Sequence, residues 1–308
     1  MSAPATSGRP QSAPLIALMA VLMAASIGVQ VVRDRGWQPY QPENPTLWVE
    51  SGPLLQRLSL GFDSLVADIY WIRSVVYYGG KRRAEGANRS YESLYPLLNL
   101  VTTLDPHFRI AYRFGSLFLT EPPPAGPGRP DQAVQLLTRG IERDFGRWEY
   151  FYDIGFVYYW SLRDYPKAAE WFLKGADRPW AAEWLRPLAA TALAAGGERA
   201  TSRRLWTELL NSDMSFMKSQ AELRLMQLDA MDAIAELTPV LQRFIDRERR
   251  FPRSWQELAD VERLPKVPTD PTGIPFYFDS KVGYIDVSPK SSLWPLPLNV
   301  RQPPPPPS

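Results

Sequence analysis

The chain carries one histidine, His107, and no cysteine. Those two facts remove thiolate nucleophiles, disulfides and cysteine-based metal sites, and leave a single imidazole for acid–base work. His107 follows Asp105-Pro106 and reads as an inter-helix loop residue rather than a positioned base. No serine sits in a Gly-x-Ser-x-Gly elbow, and no His-Glu zinc pattern occurs. Gly79-Gly80-Lys81 lacks the preceding glycine and the following Ser or Thr of a phosphate loop. Asp63 and Asp68 are five apart, a spacing that does not put two carboxylates on one face of a helix. Asn88-Arg89-Ser90 matches a glycosylation acceptor, a pattern common by chance. A net charge of +2 supplies no bulk attraction for nucleic acid. The expectation is therefore no catalytic residue, no cofactor, no bound metal, no small-molecule substrate and no nucleic-acid partner.

If the residues carry no chemistry, the elements must carry the function. The most informative is Trp148–Pro179, WEYFYDIGFVYYWSLRDYPKAAEWFLKGADRP. Large aromatics fill its first half, small residues and aromatics its second, and Asp164-Tyr165-Pro166 divides them. This predicts two short helices packed back to back. A pair of this size cannot bury its apolar face alone, so neighbours must stack on it. The flanking chain supplies them: helices are predicted over Tyr91–Leu104, Ile110–Thr120, Asp131–Arg143, Trp180–Ala195 and Arg199–Leu210, with Gly196-Gly197 splitting the last two. At 308 residues the chain is long enough for such an array plus an appendage.

Phe151, Ile154-Gly155 and Tyr158 in the first helix, and Ala168, Phe172, Gly175 and Pro179 in and after the second, resemble a tetratricopeptide repeat. The order helix, Asp105-Pro106, helix upstream resembles a junction of that family, and the looser likeness extends over about Tyr91–Asp213. The resemblance implies an α-solenoid over 58–230 that binds other proteins. Most aromatics between Trp148 and Trp184 fall at core spacing and read as inter-helix filler. Tyr152, Tyr159 and Trp160 exceed what the interior needs and are the candidates for lining a peptide groove.

Leu15–Val32 (LIALMAVLMAASIGVQVV) has no charge and is stopped by Arg33 and Arg35. At about 1.5 Å per residue it just crosses a hydrocarbon core of about 30 Å. A transmembrane helix over 13–33 is expected, in contact with lipid through 15–32. The competing reading, a cleaved signal peptide, calls for a shorter apolar run with basic residues in front, and only Arg9 precedes this one. Counted literally, Arg33 and Arg35 against Arg9 put the body in the cytoplasm. An aromatic-rich, cysteine-free body behind a short anchor points the other way. The expectation is a single-pass protein of a bacterial inner membrane with its body in the periplasm.

Leu58–Gly80 is also apolar but contains Asp63, Asp68 and Arg73. Each costs about 2.5–3.5 kcal/mol at a bilayer centre. Phe62, Leu65, Val66, Ile69, Ile72, Val76 and Tyr77 recur at spacings of three and four, which predicts an amphipathic helix packed on protein by that face and ended by Gly79-Gly80. Lys81-Arg82-Arg83 then reads as a solvated loop, with lipid headgroups or an acidic partner as the functional alternative.

Beyond Met231 the texture changes. A helix over Met231–Arg250 is followed by a short one from Ser254, where Ser254 and Glu257 form a capping-box pair. Strands are predicted at Phe276–Asp279 and Val282–Val287, with Asp279-Ser280-Lys281 as the turn. The long helix, Pro252-x-Ser254-Trp255-x-x-Leu258, Asp270-Pro271-x-Gly273-x-Pro275-Phe276-x-Phe278 and the closing hairpin resemble the C-terminal part of type II secretion pseudopilins. The N-terminal span lacks the prepilin cleavage glycine and the glutamate five residues into the mature chain, so the likeness implies a borrowed module, not a polymerising pilin. It also implies Asp270, Asp279 and Asp286 as oxygen donors for calcium; plain turn residues are the simpler reading of three scattered aspartates.

The expected organisation is a disordered N-terminus (1–12), a transmembrane helix (13–33), a linker (34–57), a tetratricopeptide-like helical domain (58–230), a pseudopilin-like helix-plus-hairpin module (231–289) and a proline-rich tail (290–308). The fold class is mainly α. The function expected is a membrane-anchored scaffold for protein partners in a bacterial cell-envelope assembly, pilus or secretion related. The alternative is a non-catalytic accessory subunit of an envelope transporter or glycan-processing complex.

Overall fold

The computed structural model describes residues 13–36, 51–84 and 90–297. They belong to two units, residues 1–46 and 47–308. The expected disordered N-terminus, most of the linker, Asn88 and Arg89 of the sequon and the end of the proline-rich tail lie outside the described residues.

The first unit contains helix α1, Ala13–Gly36. Its described side chains, at 17–32 and 35, are all exposed. Among the described residues no helix is long and apolar enough to cross a membrane. The anchor remains an expectation drawn from the full run of residues 15–32.

The second unit is mainly helical. It runs α2 (Gly52–Leu58), α3 (Asp63–Arg83), α4 (Leu94–Leu104), α5 (Arg109–Thr120), α6 (Pro130–Arg143), α7 (Trp148–Val157), α8 (Tyr165–Ala176), α9 (Leu185–Ala195), α10 (Arg199–Leu209), α11 (Ser215–Glu248) and α12 (Trp255–Glu262). Two short strands close it, β1 (Tyr277–Asp279) and β2 (Tyr284–Asp286), antiparallel with Phe278 opposite Ile285. From α3 to α11 each helix packs chiefly on its neighbours in sequence, while α4 also meets α6 and α5 meets α7. Small residues let these helices approach: a Cβ on Gly140 of α6 would lie 3.1 Å from the Tyr112 ring and 3.2 Å from that of Tyr150.

Several expectations change at the level of elements. Helix α2 falls inside the segment read as linker. Ser51 Oγ accepts from the Leu54 amide at 3.4 Å, Leu55 enters the core beside α4, and Gln56 Nε2 donates to the Thr103 carbonyl of α4 at 2.8 Å, so a buried leucine and a side-chain bond hold this helix to the body. Gly79-Gly80 does not end α3; the helix continues to Arg83, and Lys81-Arg82-Arg83 is its last turn rather than a loop. Cations there favour the helix C-terminal dipole, and Arg82 pairs with Glu121 at 2.9 Å.

The larger correction concerns the face of α3. Tyr77 is buried as expected, but Phe62, Leu65, Ile69, Ile72 and Val76 are exposed, and the helix turns Ala67, Tyr70, Ser74 and Tyr78 inward beside it. Aromatic pairing decides this. Tyr78 stacks on Phe118 at 4.3 Å and Trp71 lies 6.0 Å from the same ring, contacts that contribute beyond the area they bury. Ala67 and Ser74 are small enough to let α3 close on α4. The Ser74 hydroxyl is satisfied by donating to the Tyr70 carbonyl at 2.8 Å.

The boundary expected at 230/231 has no break in the backbone: α11 runs from Ser215 to Glu248, through Pro239. Its residues Met231, Ile234, Leu241 and Phe244 share one core with Trp206 upstream and with Phe276, Ile285 and Val287 of the hairpin. The capping box at α12 is half formed. Ser254 Oγ accepts from the Glu257 amide at 3.3 Å, but the Glu257 carboxylate takes the Arg253 amide at 2.6 Å and the Arg250 guanidinium at 2.5 Å. The Arg250 bond, seconded by that amide, holds the carboxyl down to about 2. Glu257 thereby ties the end of α11 to the start of α12. Trp255 completes the module by donating Nε1–H to the Phe276 carbonyl at 2.7 Å.

Candidate protein-binding surface

Helices α5 and α7 lie side by side and are joined by one ion pair. Arg113 Nε donates to Asp153 Oδ2 at 2.6 Å, and Arg113 Nη2 to Oδ1 at 3.0 Å, a two-point bond that fixes both planes. Burial pushes the Asp153 carboxyl up; the Arg113 bond pulls it back down without cancelling the rise.

Beside that pair α5 is apolar on two faces. Ala111, Tyr112, Gly115 and Leu119 are buried. Ile110, Phe114 and Leu117, at i, i+4 and i+7, form a second stripe that stands about half in solvent (51%, 51% and 49% exposed). Along α7 and the turn that follows it runs a ladder of rings at every fourth residue, half-buried except at its end. Trp148 and Tyr152 are 6.5 Å apart, Tyr152 and Phe156 6.0 Å, Phe156 and Trp160 6.1 Å. Trp184 closes on its lower end, edge-on to Trp148 at 5.7 Å and to Tyr152 at 5.2 Å.

The ladder's upper end depends on a π-helical turn, Tyr158–Leu162. One extra residue in a turn rotates the side chains beyond it relative to an α-helix, and here it brings Trp160 and Leu162 to the surface. Arg163 ends the turn in the left-handed region (φ 55°) and lies 5.5 Å from the Trp160 ring. Asp164 then caps α8 by accepting from the Lys167 amide at 3.1 Å.

The three residues singled out from sequence thus have different positions. Trp160 is half exposed. Tyr152 is half-buried and wedged among Trp148, Phe156, Phe172 and Trp184. Tyr159 is half-buried, edge-on to Trp160 at 5.5 Å and to Tyr165 at 5.1 Å. Tyr152 and Tyr159 support the ladder, and Trp160 is its outward tip. The α5 stripe of Ile110, Phe114 and Leu117 escaped the sequence reading. Its signal was there: Ala111 and Gly115 mark the face that packs, so large residues on the opposite face have no core to enter.

A concavity borders α5 and α7, and another lies apart from them on α10 and α11. One of about 260 Å³ lies between α5 and the start of α7, lined by Arg109, Ile110, Phe114, Arg147 and Glu149 among others. A larger one of about 940 Å³ is lined by Arg199, Arg203, Arg204 and Asp232 on α10 and α11. Arg199 and Arg203 there are matched by acids: Arg199 to Asp232 at 2.6 Å, Arg203 to Asp229 at 2.5 Å and to Asp232 at 2.7 Å. These pairs staple α10 to α11.

His107 is exposed in its turn, where its backbone amide donates to Asp105 Oδ1 at 2.9 Å. Among the described residues no three His, Cys, Asp or Glu side chains gather as metal ligands would. Asp270, Asp279 and Asp286 do not converge, and each serves its own turn: Asp279 accepts from the Lys281 amide, Asp286 from the Val287 amide and the Tyr284 hydroxyl, and Asp270 from Thr272, Ile274 and Ser291.

Arg113→Ala tests the α5–α7 link. It leaves the largely buried Asp153 carboxylate without its cation. A cost of about 1–2 kcal/mol is expected at neutral pH, discounted from a fully buried pair because the arginine is partly solvated. Asp153 then titrates higher still above the ordinary 3.8. A carboxyl raised in the folded state adds stability below its unfolded value and loses it as pH rises through the folded value. The Tm gap between variant and parent should therefore narrow from pH 7.5 to pH 5; a gap that does not change would rule out the unpaired carboxylate as its cause.

Comparisons with protein-family models, with curated proteins and with solved structures return no match.

Proposed function

We propose that this chain is a membrane-anchored, tetratricopeptide-like scaffold that holds a protein partner on the face made by α5 and α7. One observation carries the reading: on two helices joined by the Arg113–Asp153 pair, the stripe Ile110–Phe114–Leu117 lies half open to solvent and a ladder of half-buried rings ends at the half-exposed Trp160. Large aromatics with one face supported and the other free are what protein-binding hot spots are built from. The succession of helices packed on their sequence neighbours, with α5 also meeting α7 and α4 meeting α6, supports a solenoid in which alternate helices line one surface. The uncharged run of residues 15–32 supports an anchor in a bacterial inner membrane with the body in the periplasm. The likeness of residues 231–289 to pseudopilins is what ties the scaffold to a pilus or secretion assembly. The work of the protein is docking, with no reaction of its own.

A photoreactive phenylalanine analogue at Phe114 or at Trp160 of the full chain, in living cells, tests the surface. One discrete adduct of the same mass is expected from both positions, and none from Gln256, exposed on α12. Adducts that differ between the two positions, or that match the one from Gln256, would remove the surface from consideration. The anchor is tested separately: carbonate-resistant membrane retention should be lost when residues 15–32 are deleted.

A further inference from the structure

The loop that joins α8 to α9 holds a tryptophan where the backbone asks for glycine. The Ala181 amide donates to the Arg178 carbonyl at 3.2 Å and closes a four-residue turn, Arg178-Pro179-Trp180-Ala181. Pro179 takes its second position and Trp180 its third, at φ 57° in the left-handed region. Such a turn calls for glycine or asparagine there, because a Cβ crowds the following carbonyl. Arg163, Arg249 and Arg263 are also left-handed, but each closes the end of a helix. Trp180 closes none, and it is 96% exposed. Its own fold gains no packing from the indole and carries the strain of holding it out.

The same loop is tied to the docking surface. Trp184, four residues on and 46% exposed, lies edge-on to Trp148 and Tyr152 at the lower end of the ring ladder. Between the two tryptophans, Glu183 is exposed and has no cation within ion-pair distance among the described residues. The other charges of the loop are engaged. Asp177 pairs with Arg186 at 2.7 Å; the Arg178 guanidinium lies 4.4 Å from the centre of the Phe145 ring and donates to the Lys174 carbonyl at 3.1 Å. A bare indole beside an unanswered carboxylate suits a partner with an apolar pocket edged by a lysine or arginine. The pocket takes the ring, and the cation is attracted by both the carboxylate and the indole face. An anionic bilayer also accepts indoles but repels Glu183. A second copy docked symmetrically by this turn would set Glu183 against Glu183. We infer that the α8–α9 turn is the anchor of the docking surface: Trp180 enters an apolar pocket of the protein partner, and Glu183 meets a basic side chain at its rim. This rests on the docking role proposed for the ladder and names what the partner must present there.

Two measurements on the full chain test it. Trp180→Gly and Trp180→Asn should each raise the Tm by about 2 °C, because both residues accept the left-handed backbone. A Tm that does not rise would show that the indole serves its own fold, and would overturn the inference. In living cells, the photoreactive phenylalanine analogue at position 180 should give the adduct found from Phe114. Trp180→Asn should cut the yield of the Phe114 adduct about tenfold. Glu183→Lys should cut it about fivefold and Glu183→Gln about twofold, the order expected if a basic group faces the carboxylate. Adducts from Phe114 and Trp160 but none from position 180 would overturn the inference and leave the docking surface standing. No adduct from any of the three would remove both. Position 180 joined to phospholipid, or to a second copy of this chain, would overturn the choice of partner and with it the inference.

Discussion

Gly155→Leu is expected to unfold the α7–α8 pair, at a cost above about 4 kcal/mol, and Gly155→Ala to cost about 2 kcal/mol and lower the Tm by about 4–8 °C. A Cβ at 155 would lie 2.4 Å from Cε1 and 2.5 Å from Cδ1 of Phe172, and 3.1 Å from the Ala168 carbonyl oxygen. Neither neighbour can give way easily. The Phe172 ring is fully buried among Ala189, Leu185 and Tyr152, and the carbonyl is backbone of α8. Alanine is the better helix former by about 1 kcal/mol, so a net loss from Gly155→Ala isolates the clash from backbone propensity. Phe172→Leu on its own removes ring contacts and should cost about 1–2 kcal/mol. Combined with Gly155→Ala it makes room for the methyl, so the double variant should be more stable than the sum of the two losses predicts by about 1 kcal/mol. Thermal unfolding of the four proteins measures this coupling; strict additivity would show that α7 and α8 are not held together by this contact.

Asp270→Ala is expected to loosen the C-terminal hairpin module by about 3 kcal/mol. Asp270 is 3% exposed, yet four donors converge on its carboxylate: the Thr272 amide at 2.8 Å and hydroxyl at 2.6 Å, the Ile274 amide at 3.1 Å and the Ser291 hydroxyl at 2.5 Å. Burial works against the charge, but the Ser291 and Thr272 bonds prevail and hold the carboxyl below its ordinary 3.8. Alanine strands all four donors. Asp270→Asn keeps acceptors for the two amides and should cost only about 1 kcal/mol. The acid dependence is set by the sign of the shift. A carboxyl depressed in the folded state contributes stability above its unfolded value and loses it as pH falls through the folded value. The parent should lose this share of its stability below pH 3.8, while Asp270→Asn should not. Hydrogen exchange at the Thr272 and Ile274 amides reports the site directly; unchanged protection in Asp270→Ala would show that the loop holds itself without the carboxylate.

Much of the helical order was legible in the amino-acid order. Both ends of α5, α6 and α10 and the end of α9 lie within a residue of the predicted ones, because Asp105-Pro106, Pro130 and Gly196-Gly197 act on backbone next to them in the chain; α9 itself starts only at Leu185, five residues after the predicted Trp180, which stands in the left-handed region (φ 57°). The same holds for the break at Asp164-Tyr165-Pro166, the Ser254 cap and the turn at Asp279. Ring packing between α7 and α8 was legible too, since Gly155 and Phe172 lie in one short hairpin.

The candidate site was legible in part. Aromatic surplus pointed to Tyr152, Tyr159 and Trp160, but only the π-turn at 158–162 decides that Trp160 is the one turned out. Whether a helix spends its extra residue as a bulge depends on how the next stretch of chain must leave, and no local pattern records that. The α5 stripe was missed because its spacing alone does not say which of two apolar faces is covered.

By itself, then, the amino-acid order determined where many of the helices begin and end, that cysteine is absent and histidine single, and where an uncharged run of 18 residues lies at 15–32. Capping, proline geometry and missing side-chain types all act within a few positions. Only the tertiary structure decided that α3 buries its tyrosines and exposes its leucine and isoleucines, that α11 runs unbroken through residue 231, and that α5 and α7 share a surface. Those outcomes rest on contacts across tens of residues, such as Tyr78 on Phe118 and Arg113 on Asp153, which no local pattern records.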